Sequence, residues 1–436
     1  MADSTPQQKM KVFMIQVFQG LSCKQKDFNM SVISIFSGNF CNKENIINSL
    51  VNDTGFKLIN EKDIIAKASR LSNIAESKFM DTFFKTPSIF NRFTHERERS
   101  IAFLRLAMAE ILSENDLIIT GFPVQLIPKN ISHVLRICLI ADLQNRVTNA
   151  ISEEEITEKD ALKIIQKNNS DSSLWVEALL KESDPWDASL YDIIIPTDKT
   201  STSDAVALIS KKVKSDVVKS TESSGKAVED FHLSALVETA LAKEGHDINV
   251  NTDNGKVKLT INKNVLMLSK LEEDICAIAK KIDGVKSVET KIGEKFHQSD
   301  IYRQYDFNIP SKVLLVDDER EFVQTLSERL YLRDMGSAVA FSGESALDII
   351  KDDEPEVMLL DLKMPGIDGI EVLRKVKETK PEIEVIILTG HGSENDRKVC
   401  MDLGAFAYLH KPVDINLLSE TLTKATEKMK QNISKK

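Results

Sequence analysis

The sequence predicts a multidomain α/β protein whose last part is a doubly wound parallel sheet. Three observations carry this. The chain has 436 residues, more than one core usually takes, so two to four domains are expected. From about Ser311 onward, short apolar runs alternate with amphipathic helical patterns, as in parallel strands joined by crossover helices. Polar stretches at 211–229 and 293–310 interrupt the chain and separate three blocks.

Hydrophobic residues make up 42% and charged residues 28%, the balance of a globular chain. A formal net charge of −10 opposes general nucleic-acid binding, and no nucleic-acid partner is expected. Cys23, Cys41, Cys138, Cys276 and Cys400 lack Cys-x-x-Cys spacing, which fits reduced thiols in a cytoplasmic protein. No apolar run reaches the ~20 residues of a membrane-spanning helix. The stretch Lys9–Cys23 has the outline of a lipoprotein signal, but Gln16, Gln19 and Gly20 interrupt it. It reads as part of an N-terminal arm over residues 1–30, and a cytoplasmic location without membrane attachment is expected.

In the first block, Ser31–Phe36 reads as a buried strand. The turn Ser37–Glu44 and a helix to about Asp53 follow, the context of a phosphate-binding loop. A working loop reads G-x-x-x-x-G-K-[ST]; aligned on Lys43, this chain has Ser37 and Asn42 for the glycines and Glu44 for the hydroxyl. Gly38, Lys43 and Arg146 remain as candidate nucleotide contacts. His95–Ser113 reads as a long amphipathic helix, and Leu117–Thr120 and Val134–Ile140 as buried strands. With Gly121 after the central strand, the Asp142–Val147 segment and the Ser189–Asp198 segment, residues 31–212 resemble the cytidylate-kinase-like branch of P-loop nucleoside monophosphate kinases. The resemblance implies a lid with arginines that clamp the transferred phosphoryl group, yet Lys167–Ser173 contains none. A degenerate, pseudokinase domain is therefore expected, with its nucleotide, if any, unknown.

A linker is expected at 213–229. Residues 230–293 then read as helix, hairpin, helix and strand. Asp253-Asn254-Gly255 marks the hairpin turn and Ser269–Glu272 a helix capping box. With the Asp283–Val288 segment, this small α+β block resembles the BON domain, which implies an adaptor or a phospholipid-binding module.

After a second linker at 294–310, polar residues collect at the predicted strand ends of 311–436. Val313–Val316 ends in Asp317-Asp318, Val357–Leu360 in Asp361, Val385–Leu388 in Thr389, and Ala407–Leu409 in His410-Lys411-Pro412. Converging carboxylates repel unless a hard cation such as Mg²⁺ neutralises them, and a lysine opposite would hold a phosphoryl oxygen. Asp361 can then act as a nucleophile and carry an acyl phosphate. The motifs Val316–Glu319, Asp361–Gly369, Leu388–Gly390 and Tyr408–Pro412 resemble the response-regulator receiver family, a (βα)5 flavodoxin-like fold.

That resemblance implies phosphorylation on Asp361, a Mg²⁺ site from Asp317, Asp318, Asp361 and the Lys363 carbonyl, and a switch through Thr389, Tyr408 and Lys411. It also implies a cis Lys411-Pro412 bond and a sensor histidine kinase or phosphotransfer protein as donor. The function expected is a phosphorelay response regulator that signals to an unknown output protein; homodimerisation is left open. The competing readings are a receiver-regulated nucleoside monophosphate kinase and a BON-mediated scaffold or lipid-binding adaptor.

Overall fold

The computed structural model describes residues 31–85, 88–263, 268–294, 296, 310, 312–390 and 392–433. The N-terminal arm with its Lys9–Cys23 stretch, and most of 294–310, lie outside the described residues.

The first unit is a five-stranded, all-parallel sheet. Its strands are β1 (Val32–Ser37), β2 (Lys57–Ile59), β3 (Leu117–Thr120), β4 (Val134–Ile140) and β5 (Ile193–Pro196), in the order β2-β3-β1-β4-β5. The central β1 is apolar almost throughout because helices cover both faces of the sheet. Its side chains divide with period two. Val32 and Phe36 join one core with Phe79, Phe83, Phe103 and Trp175, while Ile33 and Ile35 join the other with Ile46, Leu50 and Ile209. The helices are α1 (Lys43–Thr54), α2 (Glu61–Ser72), α3 (Glu76–Phe84), the short α4 (Asn91–Thr94), α5 (Glu96–Ile111), α6 (Leu143–Glu154), α7 (Glu158–Leu180) and α8 (Thr202–Val213).

Two expectations change here. Helix α5 is not amphipathic: nine of its sixteen residues are buried, from Ser100 to Ile111. The reason is α9 (Glu222–Lys243), which packs against it and hides the face that would meet solvent. Nor is 213–229 a plain linker. It holds a 3₁₀ turn at Asp216–Val218 and the start of α9, capped by Thr221 and Ser224. The polar composition masks Ala227, Val228 and Phe231, which recur at helical spacing and enter the first unit's core. Farther along the same helix, Val237 and Leu241 enter the core of the middle unit.

The middle unit pairs α9 and α10 (Leu268–Ala279) with a three-stranded sheet. Here β6 (Asn249–Asp253) runs antiparallel to β7 (Lys256–Ile261), and β8 (Ser287–Ile292) parallel to it. The expected turn is present: Asn254 and Gly255 have φ of 50° and 79°, the two positive values a tight hairpin turn needs. Ser269, expected as a helix cap, is already inside α10.

The last unit has the order β10-β9-β11-β12-β13, all parallel. It is built from β9 (Val313–Val316), α11 (Arg320–Tyr331), β10 (Ser337–Ala340), α12 (Gly343–Asp352), β11 (Val357–Leu360), α13 (Gly369–Thr379), β12 (Glu384–Thr389), α14 (Glu394–Asp402), β13 (Ala407–His410) and α15 (Ile415–Ile433). Strand order reverses between β9 and β11, which opens a crevice beyond their carboxyl ends. At the other end of those strands the unit touches the first. Lys312 Nζ lies 2.7 Å from Glu96 Oε2, the Ile89 N–H donates to Asp353 Oδ2 at 3.1 Å, and Phe93 packs edge-on to Tyr331. Among the described residues, no helix is long and apolar enough to cross a membrane.

Candidate functional site

The crevice at β9 and β11 gathers the acidic residues. Asp317 and Asp318 follow β9 directly, and Asp361 follows β11, its N–H donating to Val316 O at 2.9 Å. One carboxylate oxygen from each lies within 4.8 Å of the other two. Asp317 and Asp361 are only 4% and 5% exposed, so their charges are largely out of water.

Lys411 is the counter-charge. Its Nζ lies 2.6 Å from Asp317 Oδ2, 3.1 Å from Glu319 Oε1 and 4.0 Å from Asp361 Oδ2. Its ammonium also stands 4.4 Å from the centre of the Phe322 ring. The sharing is uneven. Burial pushes the Asp317 carboxyl above its usual range, although Lys411 and the Glu319 N–H pull it down, and Asp361 pushes it further up. Burial acts to lower Lys411, but Asp317, Glu319 and Asp361 together outweigh it and hold the ammonium above its ordinary value. One cation thus serves several carboxylates and leaves the cluster short of positive charge.

The donors fit a hard divalent cation. All are oxygens, and Asp361 Oδ1 is buried with no hydrogen-bond partner. Lys363, two residues past Asp361, is exposed on the loop that leads to α13. Gly369 opens that helix against the Asp361 carbonyl, where a Cβ would overlap the oxygen.

Thr389 closes β12 and is fully buried; its carbonyl accepts from Lys411 N–H at 2.9 Å. The Lys411-Pro412 bond is cis, as expected. Tyr408, on β13 beside Thr389's strand, turns its hydroxyl inward without a hydrogen-bond partner. A Cβ at Gly392 would overlap that hydroxyl. Glu319, Phe322, Gly369 and Gly392 were not singled out in the sequence. Glu319 and Gly369 close two of the motifs that marked their neighbourhoods, whereas Phe322 and Gly392 lie outside them.

The second candidate, the turn after β1, is arranged differently. Most of its polar groups are engaged from within the chain, while Arg146 Nη2 is buried without a hydrogen-bond partner. Asn39 N–H donates to Asn168 Oδ1 at 3.3 Å, and Arg146 Nε donates to the Asn39 carbonyl at 2.8 Å. Arg146 Nη1 donates to Asn169 Oδ1 at 3.1 Å, and Asn149 Nδ2 to the Phe40 carbonyl at 2.9 Å. The Arg146 guanidinium stands 3.2 Å from the position a Gly38 Cβ would take. Lys43 is exposed and lies 3.7 Å from Glu44. Lys167–Ser173, expected as a lid, is the interior of α7, and its asparagines occupy the turn. Gly38 and Arg146 are therefore together, and Lys43 is exposed beside Glu44.

Two protein families match parts of this chain. Residues 313–423 match the family described as response regulator receiver domain, and residues 32–199 the cytidylate kinase-like family. The chain is 44% identical over 102 residues to the transcriptional regulatory protein CpxR of Escherichia coli (strain K12), covering 23% of this chain and 43% of that protein. It is 36% identical over 104 residues to the response regulator MprA of Mycolicibacterium vanbaalenii, covering 24% and 45%. A solved receiver domain from Clostridium thermocellum shares 34% identity at a TM-score of 0.27, covering 28% of this chain and 97% of that one. The chain spans less than half the length of these curated relatives. Residues 313–423 are thus a receiver domain homologous to those of two-component response regulators, and residues 32–199 are a cytidylate-kinase-like domain.

Proposed function

We propose that this chain is a phosphorelay response regulator that accepts a phosphoryl group on Asp361 from a sensor histidine kinase or phosphotransfer protein. The observation that carries the reading is Asp361 itself. Its Oδ1 is buried without a partner, beside two further carboxylates and 4.0 Å from the Lys411 ammonium at Oδ2. Bound Mg²⁺, held by Asp317, Asp318, Asp361 and the Lys363 carbonyl, would offset the charge on the phosphoryl group. Asp361 Oδ1 attacks phosphorus, the donor's imidazole leaves with the bonding pair, and Lys411 holds a phosphoryl oxygen. Thr389 and Tyr408 form the switch, with Tyr408 stacked over Gly392 as its resting position.

The cytidylate-kinase-like domain acts here as a structural and binding module without phosphoryl transfer. Asn168, Asn169 and the Asn39 carbonyl occupy the Asn39 N–H and the Nε and Nη1 of Arg146, donors that a phosphate would otherwise take. The middle unit is BON-like and acts as an adaptor, and output passes through protein contacts. Incubating the full chain with acetyl phosphate and Mg²⁺ tests the reading. One phosphoryl group should appear by mass, and it should be absent in Asp361→Asn. Incorporation that persists in Asp361→Asn would refute it.

A further inference from the structure

We propose that the cavity between α5, the end of α7 and the α9–β6 junction binds a phosphate-bearing small molecule with a body of nucleoside size. The cavity measures about 570 Å³, within the range of small-molecule sites. Two units build it. Arg97, Arg99 and Arg105 come from α5 and Lys181 from the end of α7, while His246, Asn249 and Asn262 come from the middle unit. No residue of the Ser37–Asn42 turn lines it, so it is separate from the phosphate loop that the first unit has lost.

Charge decides the class of ligand. Three carboxylates line the cavity, and each is already engaged. Glu238 pairs with Arg105 at 2.7 Å, Asp247 with Lys263 at 3.0 Å, and Glu98 accepts from Asn91 Nδ2 at 2.9 Å. Arg97 is left over. Its guanidinium makes no hydrogen bond or ion pair among the described residues, and its Nε is buried. Burial accordingly lowers its pKa, with Glu98 opposing. A partly buried guanidinium with an unpartnered Nε carries a desolvation cost, and its planar fork of donors is matched best by a phosphate taking two of them. Ile101, Ala102, Leu179 and Ile248 give the remaining wall an apolar stretch for the ligand's body. Asn249 and Asn262 add amides that can read a polar edge.

The site is independent of Asp361, so its test does not rest on phosphorelay. The full chain is titrated calorimetrically with inorganic phosphate, CMP, AMP, GMP and phosphate-free cytidine. At least one nucleotide should bind and cytidine should not. Arg97→Gln should weaken that nucleotide by roughly tenfold or more, the value of charged hydrogen bonds, while Lys43→Gln leaves it unchanged. Because Arg97→Gln removes a partly buried charge that has no partner among the described residues, the unliganded variant should melt no lower than the parent, which separates lost binding from lost folding. Absence of binding by every nucleotide, binding of inorganic phosphate alone, or binding lost in Lys43→Gln and kept in Arg97→Gln would overturn the proposal.

Discussion

Lys411→Met is the sharpest probe of the acidic crevice, because it removes the ammonium and keeps a stem over Phe322. Of the three carboxylates within reach, Glu319 is 66% exposed at its side chain and its pair contributes little. Asp317 and Asp361 are 5% and 6% exposed, so they lose a counter-charge that water does not replace. Removing one partner of a buried ion pair costs about 3–5 kcal/mol, and the crevice opens to solvent at one side, so about 3 kcal/mol is expected. The lost attraction to the Phe322 ring adds roughly 0.5–1 kcal/mol. For a unit of this size that total lowers the melting temperature by about 12–15 °C in EDTA. Mg²⁺ puts positive charge back among the same carboxylates, and at a hundredfold excess over its dissociation constant it restores about 2.7 kcal/mol. In calorimetry of the full chain, following the Mg²⁺-responsive transition, Mg²⁺ should bring the variant most of the way back to the parent in EDTA. The variant, which lacks the competing ammonium, should gain more from Mg²⁺ than the parent does. An equal deficit in both buffers would mean that Lys411 acts through packing, and the electrostatic reasoning would fail.

Asp361→Asn should melt higher than the parent in EDTA, since it relieves repulsion with Asp317 and Asp318; scanning fluorimetry that shows a loss would contradict the charge deficit. Gly369→Ala should cost about 1–3 kcal/mol in urea unfolding and reduce phosphoryl uptake, because its methyl overlaps the Asp361 carbonyl. Burial holds His133, His232 and His246 below their usual pKa, all three on or against α9. The fold keeps them neutral while the unfolded chain takes up protons below about pH 6.5. Their contribution is therefore complete above that pH and lost as pH falls through the lower folded values. Urea midpoints at about pH 7.5 and about pH 5.5 should differ in that sense, and His133→Asn should reduce the difference.

The receiver was legible because its chemistry sits at strand ends, and strand ends can be read from apolar runs. Val313–Val316 and Val357–Leu360 are buried on both faces, so their sequences are unbroken and the acids that follow stand out. Strand β10, Ser337–Ala340, carries no such signal: it is an edge strand of small residues and was not located. The same limit explains α9. Its Lys, Ser and Glu content reads as a linker because composition averages over faces, whereas burial depends on which residues share one. The asparagine plug was unreadable for another reason. Asn168 and Asn169 meet Asn39 and Arg146 only after α7 returns across the sheet, and no local pattern encodes that meeting. The departure of Ser37, Asn42 and Glu44 from a phosphate loop was legible; what fills its place was not.

The way the units join narrows where a signal from Asp361 can go. Helix α9 contributes Phe231 to the first core and Leu241 to the middle core, so those two units share one continuous helix and cannot part without exposing both. The receiver's contacts with the first unit are of another kind. Among the described residues they include a half-exposed Glu96 with Lys312, a backbone donor to Asp353 and a ring pair. An ion pair with an exposed partner contributes about 0–1 kcal/mol, so this joint yields long before the α9 seam does. It also lies at the far ends of β9 and β11 from the carboxylates, roughly 13 Å along a four-residue strand. A phosphoryl group on Asp361 would therefore act first on Thr389, Tyr408 and α14, away from the joint. A partner engaging that side would read the phosphorylated state without any rearrangement of the first two units, while the joint at Lys312 sets only how freely the receiver can turn to meet it.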